Sequence, residues 1–462
     1  MTELADLTAA DLLDAYRTGR VSPVAVMDDV LERAEAWEPR LAALFAVDAA
    51  GARAAAQESE ARWREGRARA LEGVPATVKD NLATKGVNVP LGTAPRAGLP
   101  PAEEDGPPAA RLREAGAILF AKTTMPDYGM LSSGLSSYHD LARNPWDLTK
   151  NPGGSSAGAG AAAAAGYGPI HLGTDIGGSI RLPAGWCGIV GLKPSFGRVP
   201  IYPPYYGRVA GPMTRTVTDA ALAMGALARP DDRDAMSLPP AEIDWLDLDG
   251  DPRGLRLGLC LDIGIGLAVE PAVRAAVEAA ARAFEAAGAE IVPIGPFLTR
   301  PMLDGLDKFW RQRSWSDIGA LTQAERDTVL PYITRWAEGA KNLTAEDVFN
   351  GMGQMAAMRD AALTATRGLD FLLTPVSPGP TYPAEHASPT NDPARPFEHI
   401  GFTVAFNMSE QPAIAVPAGF TAEGWPIGLQ IAGRRFDDLG VLRLARAFER
   451  MRLPLRPWPR VA

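Results

Sequence analysis

Two glycine-rich loops, each carrying a serine, dominate the stretch 144–200, NPWDLTKNPGGSSAGAGAAAAAGYGPIHLGTDIGGSIRLPAGWCGIVGLKPSFGRVP. The first contains Gly154-Ser155-Ser156-Ala157-Gly158, which fits GxSxG with Ser156 as nucleophile and raises the chemistry of the α/β-hydrolases. That motif calls for a strand before the serine, a helix after it, and an acid and a histidine later in the chain. A helical run does follow, but LTKNPG is no strand, and the later histidines sit in proline-rich texture. The second loop, GTDIGGSIRLP, puts Gly177-Gly178 ahead of Ser179. Two glycines leave the backbone free to aim its N–H groups at one point, as an oxyanion hole requires, although an ordinary turn also reads this way. Ser179 needs a base and has no histidine nearby in sequence. A neutral lysine can serve where burial lowers its pKa from about 10.4 toward neutrality. Lys79 ends the apolar run GVPATVK, an unusual place for a lysine, though most lysines at strand ends are simply solvated.

Other chemistries find little support. The four histidines, His139, His171, His386 and His399, show no HExxH spacing, and there is no CxxC. Each reads as a surface or hydrogen-bonded core residue. The pairs at Gly264–Gly266 and Gly351–Gly353 lack the third glycine of a dinucleotide loop, and no GxxxxGK[ST] loop occurs. No metal and no cofactor are therefore expected. The formal charge of −9, from 46 basic and 55 acidic side chains without a basic run, argues against a nucleic-acid partner. Cys187 and Cys260 read as buried or half-buried free thiols of a reducing compartment. The opening MTELADLTAADLLDAYRTGR has no basic start and apolar run of a secretory signal. The apolar stretch Ala157–Gly166 is about half of what a bilayer needs. No membrane role follows, and a cytoplasmic location is expected.

The elements that must position these residues read as an α/β chain. Residues 1–67 form a helical arm: Thr8 caps one helix, Ser22-Pro23 opens a second, and 49–67 makes a third. From Gly73 the texture changes to short apolar runs between Gly, Pro and Asn. PPAARLREAGAILFAKT reads as helix, glycine stop and strand; LRLGLCLD, EPAVRAAVEAAARAFEAAGA and EIVPI read as strand, helix and strand. That βαβ unit implies parallel pairing. Residues 299–368 are helical and Trp-rich, either a cap over a site or plain structure. DFLLTPV, WPIGLQIAG and LGVLRLARAFERM supply two strands and a closing helix over 369–462. One α/β/α body fits, with a catalytic core over 68–298.

The chain resembles the amidase signature enzymes. The resemblance rests on GGSSAGAGAAAAAG, LGTDIGGSIRLPAGWCGIVGLKPSFGRV, GVPATVKDNL, RNPWD, GPMTRTVTDAAL and QPAIAVPAGF…GWPIGLQIAGRRFDD. It runs from about residue 8 to 450 and is weakest over 295–365. It implies a large mixed sheet covered by helices on both faces. It further implies a triad in which Lys79 is general base and acid, Ser155, on a cis peptide, relays the proton, and Ser179 attacks the carbonyl. The N–H groups of Ile176, Gly177, Gly178 and Ser179 would form the oxyanion hole, with Asp175, Arg181 and Thr174 in support. The nucleophile thereby moves from Ser156 to Ser179.

Substrate is less legible. The loop MPDYGMLSSGLSSYHDLARNPWD departs from GSSTENSAFGPTRNP, its counterpart in the glutamine-hydrolysing subunits of tRNA amidotransferases, at the Glu-Asn and Thr-Arg positions. That favours a free-standing amidase over the amidotransferase role, and intact Lys79, Ser155 and Ser179 argue against a non-catalytic scaffold. The resemblance places Gly129, Met130 and Leu131 along the acyl pocket. Tyr128, Tyr138, Tyr205, Tyr206 and the tryptophans of 300–340 would offer apolar walls, about half of them being ordinary core. The expected substrates are small molecules: aryl or hydrophobic amides, with carbamates and esters as extensions. The helical arm could support a homodimer.

Overall fold

The computed structural model describes residues 3–460. Eleven strands form one mixed sheet among these residues: β1 (Leu44–Phe45), β2 (Pro75–Lys79), β3 (Ile118–Thr123), β4 (Ile170–Asp175), β5 (Val190–Lys193) and β6 (Val209–Thr214), followed by β7 (Arg256–Leu259), β8 (Glu290–Pro293), β9 (Phe371–Pro375), β10 (Ala413–Phe420) and β11 (Pro426–Ala432). Their spatial order is β1-β3-β2-β4-β6-β5-β10-β11-β9-β7-β8. Pairing is parallel across β3-β2-β4 and β9-β7-β8 and antiparallel through the middle. The parallel wings are the segments joined by helices, as at β7–β8 around the helix Pro271–Ala286.

Alternation along the strands divides the core in two. Ile414, Val416, Phe371 and Leu373 face a cluster covered by the helices Val217–Leu227, Pro271–Ala286 and Asp438–Met451. Ala413, Ala415 and Leu372 face the opposite cluster, under Arg181–Cys187, Arg300–Ile318 and Gly401–Met408. In β2 the same alternation sends Ala76 and Val78 to the first face. Thr77 and Lys79, one residue out of step, therefore point to the second. The sequence reading missed β10 as a strand, because Pro417 interrupts its apolar run. The structure accommodates it by a bulge between Pro417 and Gly419.

Helix boundaries follow local chemistry. Thr8 and Asp11 form a reciprocal capping box at the start of Ala9–Arg17, and the Ser22 hydroxyl accepts from Val24 N–H at the start of Pro23–Leu41. The third N-terminal helix, Ala49–Arg64, stops three residues short of the sequence expectation, with Gly66 left-handed just beyond it. These three helices share an apolar cluster with Phe120 of β3 and with Ala161, Ala162 and Ala165. The helix Ala157–Ala165 is buried at all nine positions. It can lie against its neighbours because its residues are small: a Cβ on Gly158 would run into the Ala43 carbonyl and stand 2.5 Å from the Thr124 nitrogen. Cys187 and Cys260 are both buried and unpaired. No helix among the described residues is long and apolar enough to cross a membrane.

Candidate active site

Lys79 ends β2 fully buried, with Nζ 2.8 Å from Ser155 Oγ, 3.0 Å from Ser156 Oγ and 3.1 Å from Thr174 Oγ1. It has no ion-pair partner among the described residues, in contrast to the buried Arg181, which is paired with Asp175. Burial, reinforced by the positive charge of Arg208, drives the Lys79 pKa well below its ordinary value. A neutral amine carries two protons and one lone pair, so a ring of hydroxyls can satisfy it where carboxylates would hold it charged.

The three hydroxyls are not equivalent. Ser156 Oγ donates to the Thr174 carbonyl and accepts from Thr174 N–H, both at 3.2 Å. Thr174 Oγ1 accepts from Asn81 Nδ2 at 3.0 Å. Ser155, on a cis peptide bond with Gly154, meets no other acceptor for its proton among the described residues. Ser156, the serine of the GxSxG match, is fully buried with its proton directed at the Thr174 carbonyl. Its N–H donates to the Ser179 carbonyl at 3.1 Å, which ties the two serine loops together.

Ser179 is half-buried at the floor of a cleft of about 380 Å³ that Ser155, Thr174, Asp175 and Ile176 also line. The loop beneath it is organised by Asp175. That carboxylate accepts from Gly178 N–H at 2.8 Å, Ile180 N–H at 3.1 Å and Asn407 Nδ2 at 2.9 Å. Burial alone would raise its pKa; the Arg181 charge and these bonds overcome that and hold it far below the usual carboxylate range. Arg181 places its five donors on Asp175, Thr403 O, Gln430 Oε1 and Asn407 Oδ1 at 2.7–3.0 Å. Gly178 adopts a φ of 126°, open to glycine alone in practice. Its N–H is engaged by Asp175 and so is not free for an oxyanion. The N–H groups of Ile176, Gly177 and Ser179 meet no acceptor among the described residues and remain available.

Gly129, Met130 and Ile176 line the cleft, and Gly129, Met130, Leu131 and Gly177 line a small apolar side pocket of about 30 Å³ with Trp310, Phe397 and Ile400. Of the aromatics singled out in the sequence, Tyr128 and Trp310 reach these walls. Tyr138 packs on His139, and Trp336 on Phe397 in the core. The helical segment after residue 299 thus contributes Trp310 and Arg313 as one wall of the site. A wider concavity of about 780 Å³, lined by the 261–269 loop, Arg274 and Arg300, does not include either serine loop.

None of the four histidines lines the cleft or its side pocket. His171 bonds Thr77 Oγ1 and the Gly168 carbonyl, His139 bonds Asp80, and His399 is buried against Trp186 with neither ring nitrogen partnered among the described residues. Sequence reasoning missed Asn81, Arg96, Arg208 and Arg313 in the cleft and Asn407 and Gln430 beneath it. Arg208 sat in view as the lone charge of PPYYGR, and Gln430 as the lone polar residue of PIGLQIA.

The family model described as Amidase matches residues 25–442. The chain belongs to the amidase signature family. Among relatives of this amidase signature chain, a glutamyl-tRNA(Gln) amidotransferase subunit of Myxococcus xanthus is 36% identical, covering 97% of this chain and 98% of its own. An acylamidase of Rhodococcus erythropolis is 34% identical over 98% and 96%. In structure, a bacterial aryl acylamidase of the amidase signature family superposes with a TM-score of 0.88 at 27% identity, covering 96% of each chain. The peptide amidase of Stenotrophomonas maltophilia gives 0.84 at 26% identity over 99% of each.

Proposed function

We propose that this chain is a free-standing amidase that hydrolyses C–N bonds of small amides through an acyl-enzyme on Ser179. The observation that carries the reading is a fully buried lysine, its pKa driven well down by burial, inside a ring of hydroxyls and next to a half-exposed serine under free N–H groups. In this scheme Lys79 Nζ takes the Ser155 proton as Ser155 takes that of Ser179, and Ser179 Oγ bonds to the carbonyl carbon. The oxyanion forms against the N–H groups of Ile176, Gly177 and Ser179. The proton then returns through Ser155 to the departing nitrogen, the C–N bond breaks, and water attacks the acyl-enzyme by the same relay in reverse. Thr174, Asp175 and Arg181 hold the loops that carry these groups. Aryl amides come first as substrates, with aryl carbamates and esters sharing the same acyl transfer.

Treatment with a fluorophosphonate, followed by peptide mass mapping, should place one adduct on Ser179, and a panel of anilides, aryl carbamates and aliphatic amides should show turnover. An adduct on Ser156, or none, would overturn the mechanism. The 36% identity to an amidotransferase component supports a second reading, glutamine hydrolysis for tRNA amidation. Glutamine turnover exceeding that of every aryl amide would favour it.

A further inference from the structure

The cleft in front of Ser179 is positive in a chain whose formal charge is −9. Arg96, Arg208 and Arg313 line it, brought together from three distant segments. The one carboxylate among the lining residues, Asp175, belongs to Arg181. None of the three arginines is ion-paired among the described residues. By contrast Arg300 and Arg311, on the same helix as Arg313, bind Glu398 and Asp307. Arg208 has a single long bond, from Nη2 to the Asn81 carbonyl at 3.4 Å. Arg313 lies 4.4 Å over the Tyr205 ring, with Nη1 3.9 Å from Met130 Sδ. Arg96 leaves Nε buried without a partner among the described residues.

Guanidinium groups are planar, carry five donors and pair with carboxylates through two parallel bonds. Gathering three of them in a partly buried cleft without a counter-charge costs solvation and repulsion. Burial first, and then the Arg313 charge, lower the Arg208 pKa to about 10. A solvated, merely soluble-making role does not fit side chains turned into the cleft that holds Ser179. An anion arriving there would relieve the repulsion and use the idle donors at once.

We propose that the substrates of this site are amides bearing an anionic group, a carboxylate in the first instance, which Arg96, Arg208 and Arg313 bind beside the scissile bond. The adjoining side pocket, where Leu131, Trp310, Phe397 and Ile400 meet Ser179 and Arg313, then takes a small apolar group of the substrate. Two chemistries satisfy this: an N-acyl amino acid, with the charge on the departing half, and a monoamide of a dicarboxylic acid, with the charge on the acyl half. The inference rests on amide hydrolysis at Ser179.

The test uses matched pairs: N-acetyl-phenylalanine against its N-methylamide, and succinic acid monoanilide against its methyl ester. The anionic member of at least one pair should be preferred by about 10- to 100-fold in kcat/KM, mostly through KM, since a bond to a charged group is worth that much. The pair that responds identifies the charged half. Arg208→Gln and Arg313→Gln should each collapse the preference toward one, Arg313→Lys should restore part of it, and raised salt should weaken it. The wild-type ratio needs no variant to fold. Binding of the two carboxylates and their neutral partners to Ser179→Ala by calorimetry gives the same comparison without turnover. Equal or better handling of the neutral members in both assays overturns the anionic substrate class. It leaves amide hydrolysis standing if Ser179 is still labelled by fluorophosphonate; loss of labelling would instead overturn the reading beneath it.

Discussion

Two neighbouring strand ends each bury a lysine, and they differ in what surrounds the amine. Lys79 on β2 meets three hydroxyls, whereas Lys122 on β3 donates to the carbonyls of Asp80 and Leu82 at 2.7 and 2.9 Å. The two stand in adjacent register, Val78 being paired with Lys122 and Lys79 with Thr123. Carbonyls only accept, so they favour an amine with all its protons; hydroxyls also donate, so they can fill the lone pair of a neutral one. Burial lowers both pKa values, that of Lys122 to about 8 and that of Lys79 well below the ordinary lysine range. The same residue type at two neighbouring strand ends is thus a tie to loop carbonyls in one place and a proposed base in the other.

The largest effect that could break this contrast is on the nucleophile fed by the base. Ser179→Ala should lower kcat on any aryl amide by about four orders of magnitude or more, with unchanged circular dichroism. Wild-type turnover in that variant would remove the reason for a neutral Lys79. Lys79→Met should come next, costing about three orders or more in kcat/KM while leaving unfolding midpoints near or above wild type, because a buried amine is exchanged for an apolar chain of similar length. The wild-type pH profile gives the sign. Burial lowers the Lys79 pKa and the proposed base must be neutral to act, so kcat/KM should fall as pH drops through that lowered pKa and stay level above it. A profile still climbing toward pH 10 would mean an unshifted lysine.

Arg181→Met sits between the two kinds of lysine, since it removes a charge that is both structural and close to the chemistry. It leaves Asp175 buried and unpaired and strips partners from Asn407 and Gln430. Breaking one side of a buried pair costs about 3–5 kcal/mol. Urea unfolding should show a loss of that size, and kcat should fall with it, because Gly178, Ile180 and Arg181 N–H all orient on the same carboxylate. A stability loss without loss of kcat would detach this network from the oxyanion loop.

What the sequence carried of this site depended on how local the determinants were. Lys79, Ser155 and Ser179 stand in runs whose glycines and small residues are dictated by backbone approach, as at Gly158, so their neighbourhood is legible as a long motif. The mixed α/β sheet was legible in outline from period-two runs and glycine stops, but β10 was hidden by Pro417. The distinction between Ser155 and Ser156 was not readable from spacing: it depends on which hydroxyl meets the Thr174 carbonyl, a contact across 18 residues. Arg96, Arg208 and Arg313 come from a short 3-10 turn, a loop after two tyrosines and the face of a long helix. No local pattern sets an arginine that faces a cleft apart from one that faces water; only the fold shows that these three share a space.

The smallest effect on turnover belongs to Lys122, and it is the sharpest test of the comparison. Lys122→Met should keep kcat within a few-fold of wild type, since no bond runs from Lys122 to either serine loop. It should cost about 1–3 kcal/mol in urea unfolding at pH 7, because two buried carbonyls lose their donor. The pH dependence separates this from a generic packing loss. Below about pH 8 the lysine is protonated in both folded and unfolded chains and adds no slope. Between about 8 and 10.5 the unfolded chain holds a proton that the folded chain has released, so wild-type stability rises with pH through Lys122. Lys193, lowered to about 7 by burial, adds a similar rise in both proteins and cancels in the difference. The deficit of Lys122→Met relative to wild type should therefore widen from pH 8 to 10.5 while turnover stays level. A variant that instead lost activity with the acid limb displaced would show that the two buried amines titrate as one system, and that the hydroxyl ring alone does not make Lys79 the base.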